Sequence, residues 1–193
     1  IMDDGRSRRL LGNVTADLDL LDNLTLQLNA GTDRSDGVRS AYYPKANPLG
    51  ATTNGQAFIS NRQNTTNTFQ SYLTYDLASD AHSFDILGGY EFNDYSTVAT
   101  GTEAQDFITD ALGYYNLGAG AVQMPSSSDR VDSRLVSFFT RANYAYDGRF
   151  FLTGVLRRDG SSRFGEGNKW AVFPALSAAW RLSEEGFMQN SPF

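Results

Sequence analysis

The sequence predicts an all-β chain, an antiparallel up-and-down stretch of a transmembrane β-barrel. Three observations lead there. Apolar residues recur at every second position over segments of about ten residues, which is strand periodicity. The connections between these segments alternate between short and long. The faces opposite the apolar ones are mostly Thr, Asn, Gln, Asp, Gly and Ser, which suits a water-filled lumen better than the charged solvent face of a soluble sheet.

The first hairpin carries the clearest pattern. Leu10, Gly12, Val14, Ala16, Leu18 and Leu20 alternate with polar residues, and after Leu21-Asp22-Asn23 the set Leu24, Leu26, Leu28 and Ala30 resumes. A three-residue loop pairs Leu20 with Leu24 and keeps both sets on one face, with Asn23 suited to a left-handed position. A polar stretch over 34–62 reads as a surface loop. The next strand, 65–77, puts Phe69, Ser71, Leu73, Tyr75 and Leu77 on one face. A turn at 78–82 leads to Phe84, Ile86, Gly88, Tyr90 and Phe92 over 83–92. A second long segment, 94–131, contains a possible helical turn at 105–112. In the third hairpin, 134–145 with 149–158, the apolar positions are even on both sides. A loop Tyr146-Asp147-Gly148 that pairs Ala145 with Arg149 preserves that parity, with Gly148 left-handed. The connection 159–169 precedes a last strand over 170–182, in which Pro174 predicts a local irregularity. The total is about seven strands. Aromatics cluster at both ends of the apolar faces. Tyr75, Phe84, Tyr144, Phe150 and Trp180 lie near short turns, and Phe69, Tyr90, Phe92 and Phe138 nearer long loops, as two lipid–water interfaces favour.

Composition sets limits. The net charge of −6 and pI near 4.7 argue against nucleic-acid binding, which needs a basic face. No cysteine and a single histidine leave no thiolate or His-rich metal site. No apolar run reaches the roughly 18 residues of a membrane helix, which excludes a helical membrane protein but not a barrel. Ile1-Met2-Asp3-Asp4-Gly5 has neither a basic n-region nor an apolar core and is not a signal peptide. A soluble extracellular β-sheet adhesin or binding module stays open on patterning alone.

Chemical motifs resolve to bland readings. His82 reads as a solvated turn residue, although Ser79, Asp80 and Ser83 lie close in sequence. Asp17, Asp19 and Asp22 lack the glycine and bidentate acid of a calcium loop and read as lumen lining. Glu184-Glu185 reads as a solvated or capping pair. Gly118-Ala119-Gly120-Ala121 has no following lysine and is no phosphate loop. Arg157-Arg158-Asp159 with Arg163 reads as hairpin-loop chemistry rather than an anion site. With no nucleophile, base and stabiliser in one constellation, no enzymatic activity is expected. Tyr42-Tyr43 and Tyr114-Tyr115 are the candidate substrate- or partner-binding residues, because flat aromatic faces in long loops suit sugars. The alternative is that they pack loop against loop or against a partner protein.

The last third carries a longer signature. Tyr146-Asp147-Gly148-Arg149-Phe150-Phe151-Leu152-Thr153, then Arg157-Arg158-Asp159-Gly160-Ser161-Ser162-Arg163-Phe164-Gly165, then the block from Asn168-Lys169-Trp170 through Phe173-Pro174 to Ala179-Trp180-Arg181-Leu182-Ser183-Glu184-Glu185 resembles the SusC/RagA family of TonB-linked outer-membrane proteins of Bacteroidetes. The resemblance is sharp over 144–188 and looser at the first hairpin and at Gly88-Gly89-Tyr90-Glu91-Phe92. It implies a barrel of roughly 22 strands with a plugged lumen, located in the outer membrane. It also implies import of oligosaccharides or peptides beneath a SusD-like surface lipoprotein, with TonB supplying energy and no cofactor. No plug domain or TonB box is recognisable, so 1–193 reads as an internal segment of the barrel domain, with Ser191-Pro192-Phe193 leading toward a further strand.

Overall fold

The computed structural model describes residues 1–188; the expectation for Ser191-Pro192-Phe193 lies outside them. Eight strands form a single sheet: β1 (Met2–Leu21), β2 (Leu24–Tyr43), β3 (Gln56–Ser79), β4 (His82–Phe107), β5 (Gly120–Gln123), β6 (Ser127–Tyr146), β7 (Phe150–Ser161) and β8 (Trp170–Trp180). Their order is β1-β2-β3-β4-β6-β7-β8, with β5 attached only to β4. Chain order and spatial order therefore coincide apart from β5, a four-residue strand inside a connection that the periodicity did not reveal.

The chain divides into two compact units. One comprises 1–12, 32–67 and 94–132, the other 13–31, 68–93 and 133 onward. The second unit holds the three tight hairpin turns and most of the alternating sequence. Its apolar side chains have no second layer above them: Leu18, Leu73 and Leu152 are 46%, 42% and 45% exposed. Its polar side chains bond to one another across strands. Gln27 donates to Asp17 at 2.8 Å, Thr25 to Asp19 at 3.0 Å, Asn29 to Gln70 at 3.0 Å and Thr153 to Asn143 at 2.9 Å. Arg141 lies 3.7 Å from Asp85, and Thr15 and Thr74 share the parity of this polar face.

Two rows of aromatic rings border the apolar face. Phe69–Tyr90, Tyr90–Phe138 and Phe138–Trp170 meet at 6.3, 5.3 and 6.2 Å between centroids. Near the turns, Phe84–Tyr144 and Phe150–Trp180 meet at 4.6 and 5.8 Å. Trp170 and Trp180 are the two ends of β8. They are ten positions apart, about 33 Å along a strand and about 25 Å in projection at a tilt of about 40°, the height of a barrel's lipid-facing band.

The third hairpin keeps even residues opposite even ones, but Tyr146 pairs with Phe150 and Ala145 with Phe151, not with Arg149. The loop is Asp147-Gly148-Arg149, one residue further on than the parity argument placed it. Asp147 and Gly148 both take positive φ, 52° and 62°. Arg149 N–H bonds back to the Tyr146 carbonyl at 3.0 Å, leaving Arg149 as the extra residue that preserves parity. Pro174 causes no break, since Leu156 pairs with it inside an uninterrupted ladder. Arg181 N–H donates to the Arg149 carbonyl and Ser161 N–H to the Lys169 carbonyl. Odd residues of β8 are thus the hydrogen-bonded partners of β7, and Pro174, an even residue, turns its missing N–H toward the free edge.

In the first unit the strands run on where loops were expected. The expected loop 34–62 shrinks to 44–55, and 94–131 to 108–126 with β5 inside it. These extensions lack apolar alternation. Ion pairs bridge neighbouring strands there, Arg9–Asp33 at 2.6 Å and Arg39–Asp3 at 2.8 Å. Strands of 24 and 26 residues, β3 and β4, exceed the roughly 9–11 residues that span a bilayer. The helical turn expected at 105–112 is also displaced. The chain stays extended to Phe107, and a 3₁₀ segment occupies Asp110–Tyr115, where Thr109 Oγ1 accepts from Ala111 N–H at 3.2 Å.

Candidate functional site

The four candidate tyrosines separate into three environments, all in the first unit. Tyr42 is 2% exposed and forms a small core with Ala57, Ala104 and Phe107. Its ring meets Phe107 edge-on at 5.4 Å, and its hydroxyl donates to Asp110 at 2.6 Å. Gly55, at φ 93°, leaves room for that hydroxyl, 2.8 Å from where a Cβ would stand. Burial, then the bond to Asp110, pushes the Tyr42 hydroxyl up to about 12. Tyr42 thus anchors the segment 108–119. Tyr42→Phe is expected to cost about 1 kcal/mol through the lost bond, and Tyr42→Ala about 3–5 kcal/mol through the cavity, read from equilibrium unfolding of the full-length protein. Because the folded pKa lies above the unfolded one, this tyrosine's contribution is complete below pH 10. It is lost as pH rises through about 12.

Tyr43 faces the other way. Its odd parity on β2 is that of Gln27 and Asn29. Its ring lies 6.2 Å from Phe58, over which Arg39 sits at 5.6 Å. Arg39 also donates to Asp3 through Nε and Nη2, at 3.1 and 2.8 Å, and holds that carboxyl below its ordinary value. Glu103 accepts from Gln56 at 2.7 Å and from Gln105 at 2.8 Å. Two aromatic rings beside a guanidinium, carboxylates and amides form a surface able to stack and hydrogen-bond a polar ligand. The sequence did not single out Phe58, Arg39 or Glu103, because the strand pairing that brings them beside Tyr43 leaves no periodic trace in segments that read as loop.

Tyr114 and Tyr115 lie together, with rings 4.6 Å apart and hydroxyls at 3.4 Å. Tyr115 is 76% exposed. They border a cleft of about 560 Å³ with Asp4, Arg6, Arg8, Asp36 and Ile59. The bond to Tyr115, then desolvation, pushes the Tyr114 hydroxyl up to about 12. The strand residues of this cleft are even on β1 and β2 and odd on β3, whereas Tyr43 is odd on β2 and Phe58 even on β3. Tyr43 and the Tyr114–Tyr115 pair therefore belong to opposite faces of the sheet.

The remaining motifs find structural partners in the second unit. Arg157 is a strand residue of β7, not part of a hairpin loop. It bonds Asp159 at 2.8 Å and Ser137 at 2.9 Å, approaches Glu91 at 3.4 Å and covers the Phe139 ring at 5.3 Å. Tyr72 packs on Phe139 at 5.7 Å. Gly89 leaves the space this ring fills, since a Cβ there would stand 2.3 Å from it. Arg158, on the opposite face, stacks over Trp170 at 4.6 Å. His82 opens β4 rather than lying free in a turn, and its Nδ1 meets the Tyr144 hydroxyl at 2.8 Å. Glu185 accepts from Trp180 Nε1 at 3.0 Å, so it holds the end of β8 rather than standing solvated.

The match to known proteins spans the chain. The model of the family described as TonB dependent receptor-like, beta-barrel, matches residues 2–188. TonB-dependent receptor P3 of Formosa agariphila is 34% identical over 191 residues, covering 98% of this chain and 19% of that protein. TonB-dependent receptor SusC of Bacteroides thetaiotaomicron is 27% identical over 194 residues, covering 97% of this chain and 18% of that protein. A solved structure of the RagAB peptide transporter superposes with a TM-score of 0.85 at 25% identity, over 98% of this chain and 22% of that one. The chain spans about a fifth of the length of the curated relatives it matches.

Proposed function

The chain belongs to the TonB-dependent receptor-like β-barrel family of the outer membrane, and from that premise we propose that it is a stretch of wall in an active nutrient importer. The observation that carries the reading is the contrast between the two faces of one sheet. The apolar face is bare and bordered by aromatic rows, as lipid requires. The other face carries polar side chains bonded across strands together with the Tyr72–Phe139 pair under Arg157, a mixed lining that suits a wet passage. All of 1–193 is one part of a barrel domain in this reading. TonB supplies the energy, and a SusD-like lipoprotein covers the outer opening. The cargo is an oligosaccharide or a peptide. RagAB is described as a peptide transporter, and the Tyr43–Phe58 surface with its carboxylates and amides could bind either class. The wall itself performs no covalent chemistry on the cargo.

The two tyrosine surfaces take different roles. Tyr43, on the polar face with Phe58, contacts the cargo. Tyr114 and Tyr115, on the opposite face, contact the lipoprotein. In the full-length importer, Tyr43→Ala with Phe58→Ala is expected to lower uptake several-fold while the lipoprotein still co-purifies. Tyr114→Ala with Tyr115→Ala is expected to weaken co-purification while the barrel still assembles. Unchanged uptake in the first variant, or unchanged co-purification in the second, removes that surface from the functional list. Failure of assembly in the second assigns those rings to packing.

A further inference from the structure

We infer that Arg158 and Trp170 form a clamp for the phosphate of an anionic glycolipid headgroup in the outer leaflet. Arg158 sits on the apolar face of β7, its Cα opposite Phe138 on one side and Val172 on the other. It is exposed, and no carboxylate pairs with it among the described residues. Arg157, its neighbour in sequence, turns to the opposite face and is held by Asp159 and Glu91. The strand thus neutralises one arginine with acids and leaves the next one available.

The site is also built for that arginine. Trp170 lies across β7 at Gly160, its Cα partner, where a Cβ would stand 2.8 Å from the indole. Only a glycine lets the ring lie so flat against the backbone. Phe138 stacks near-parallel to the indole, 6.2 Å between centroids, and the Arg158 guanidinium covers the indole at 4.6 Å. The planar cation is held in place by the ring while its N–H groups stay free to donate, a geometry that suits phosphate.

Position names the ligand. Arg158 is eight positions beyond Phe150, about 26 Å along a strand and about 20 Å in projection, which carries it from the row beside the hairpin turns to the opposite border of the apolar band. A lipid-facing cation is costly at mid-bilayer and nearly free at the interface, where headgroup phosphates lie. The connection 162–169 adds Arg163 and Lys169 against one acid, Glu166. This inference rests on membrane placement and not on the identity of the cargo, so it can fail while the transport reading stands.

The test is native mass spectrometry of the full-length protein in mild detergent, titrated with monophosphoryl lipid A and with its dephosphorylated form. The unaltered protein is expected to retain the phosphorylated lipid preferentially. Arg158→Gln is expected to reduce that retention about tenfold, with a smaller loss for Trp170→Ala. Arg158→Lys keeps the charge without the planar stack and should fall between. Equal retention of both lipids by the unaltered protein overturns the proposal. So does unchanged retention in Arg158→Gln, or a second copy of the barrel held at this face through Arg158 in place of lipid. If Arg158→Gln does not assemble, the comparison of the two lipids on the unaltered protein and on Arg158→Lys decides.

Discussion

Leu73→Arg in the full-length protein is expected to shift the folding equilibrium in a bilayer by about 2–4 kcal/mol toward the unfolded state. Leu73 is 42% exposed, midway between Phe69 and Leu77 on the apolar face of β3, and nothing packs over it. An arginine there must either desolvate its charge in hydrocarbon or thin the bilayer to reach water. Thr74→Arg, one residue later and on the polar face, is expected to change stability by no more than about 0.5 kcal/mol, because that face already carries Arg141, Asp85 and Asp17 in cross-strand contacts. Refolding titrations into lipid vesicles measure both. Equal losses from the two variants would contradict the assignment of lipid to one face and water to the other.

Residues 1–193 expressed alone, without detergent, are expected to aggregate rather than form a monodisperse monomer. The sheet path ends at β1 on one side and β8 on the other, and these strands do not pair with each other. Each offers a row of unpaired backbone groups. The apolar face adds Leu18, Leu73, Leu152 and Leu176, the last 78% exposed, with no second layer to bury them. An open edge has no water to satisfy it in a bilayer and invites pairing with other chains in solution. Light scattering with and without detergent decides. A sharp cooperative melt of a detergent-free monomer would refute the reading that this sheet is stable only as part of a larger closed barrel.

Even–even parity in the third hairpin was legible because lipid imposes one apolar face, yet the loop itself slid by one residue. Patterning constrains which residues share a face, whereas Asp147 and Gly148, both left-handed, decide where the chain reverses. The tyrosine pairs were legible as aromatic candidates but not as sites. Adjacent residues of a strand point to opposite faces, so Tyr42 went into a core and Tyr43 to the polar face. Tyr114 and Tyr115 stay together because a 3₁₀ segment, not a strand, carries them.

By itself the sequence determined the strand chemistry of the band, the antiparallel chain order, the two aromatic borders and the family signature over 144–188. Each of these follows from the alternation that lipid and water enforce along one strand, and alternation is a property of neighbouring residues. Tertiary structure alone decided the rest. The polar strand extensions of the first unit show no alternation, and Arg9–Asp33 and Arg39–Asp3 join residues 24 and 36 apart in sequence. Gly89 and Gly160 look like any strand glycines until Phe139 and Trp170, from other strands, fill the space they leave. Arg157 and Arg158 are neighbours of one type, and their opposite fates depend on Glu91 and Trp170, brought beside them by strand pairing. A contact between distant segments leaves no periodic trace along either one, so it becomes visible only when the sheet is assembled.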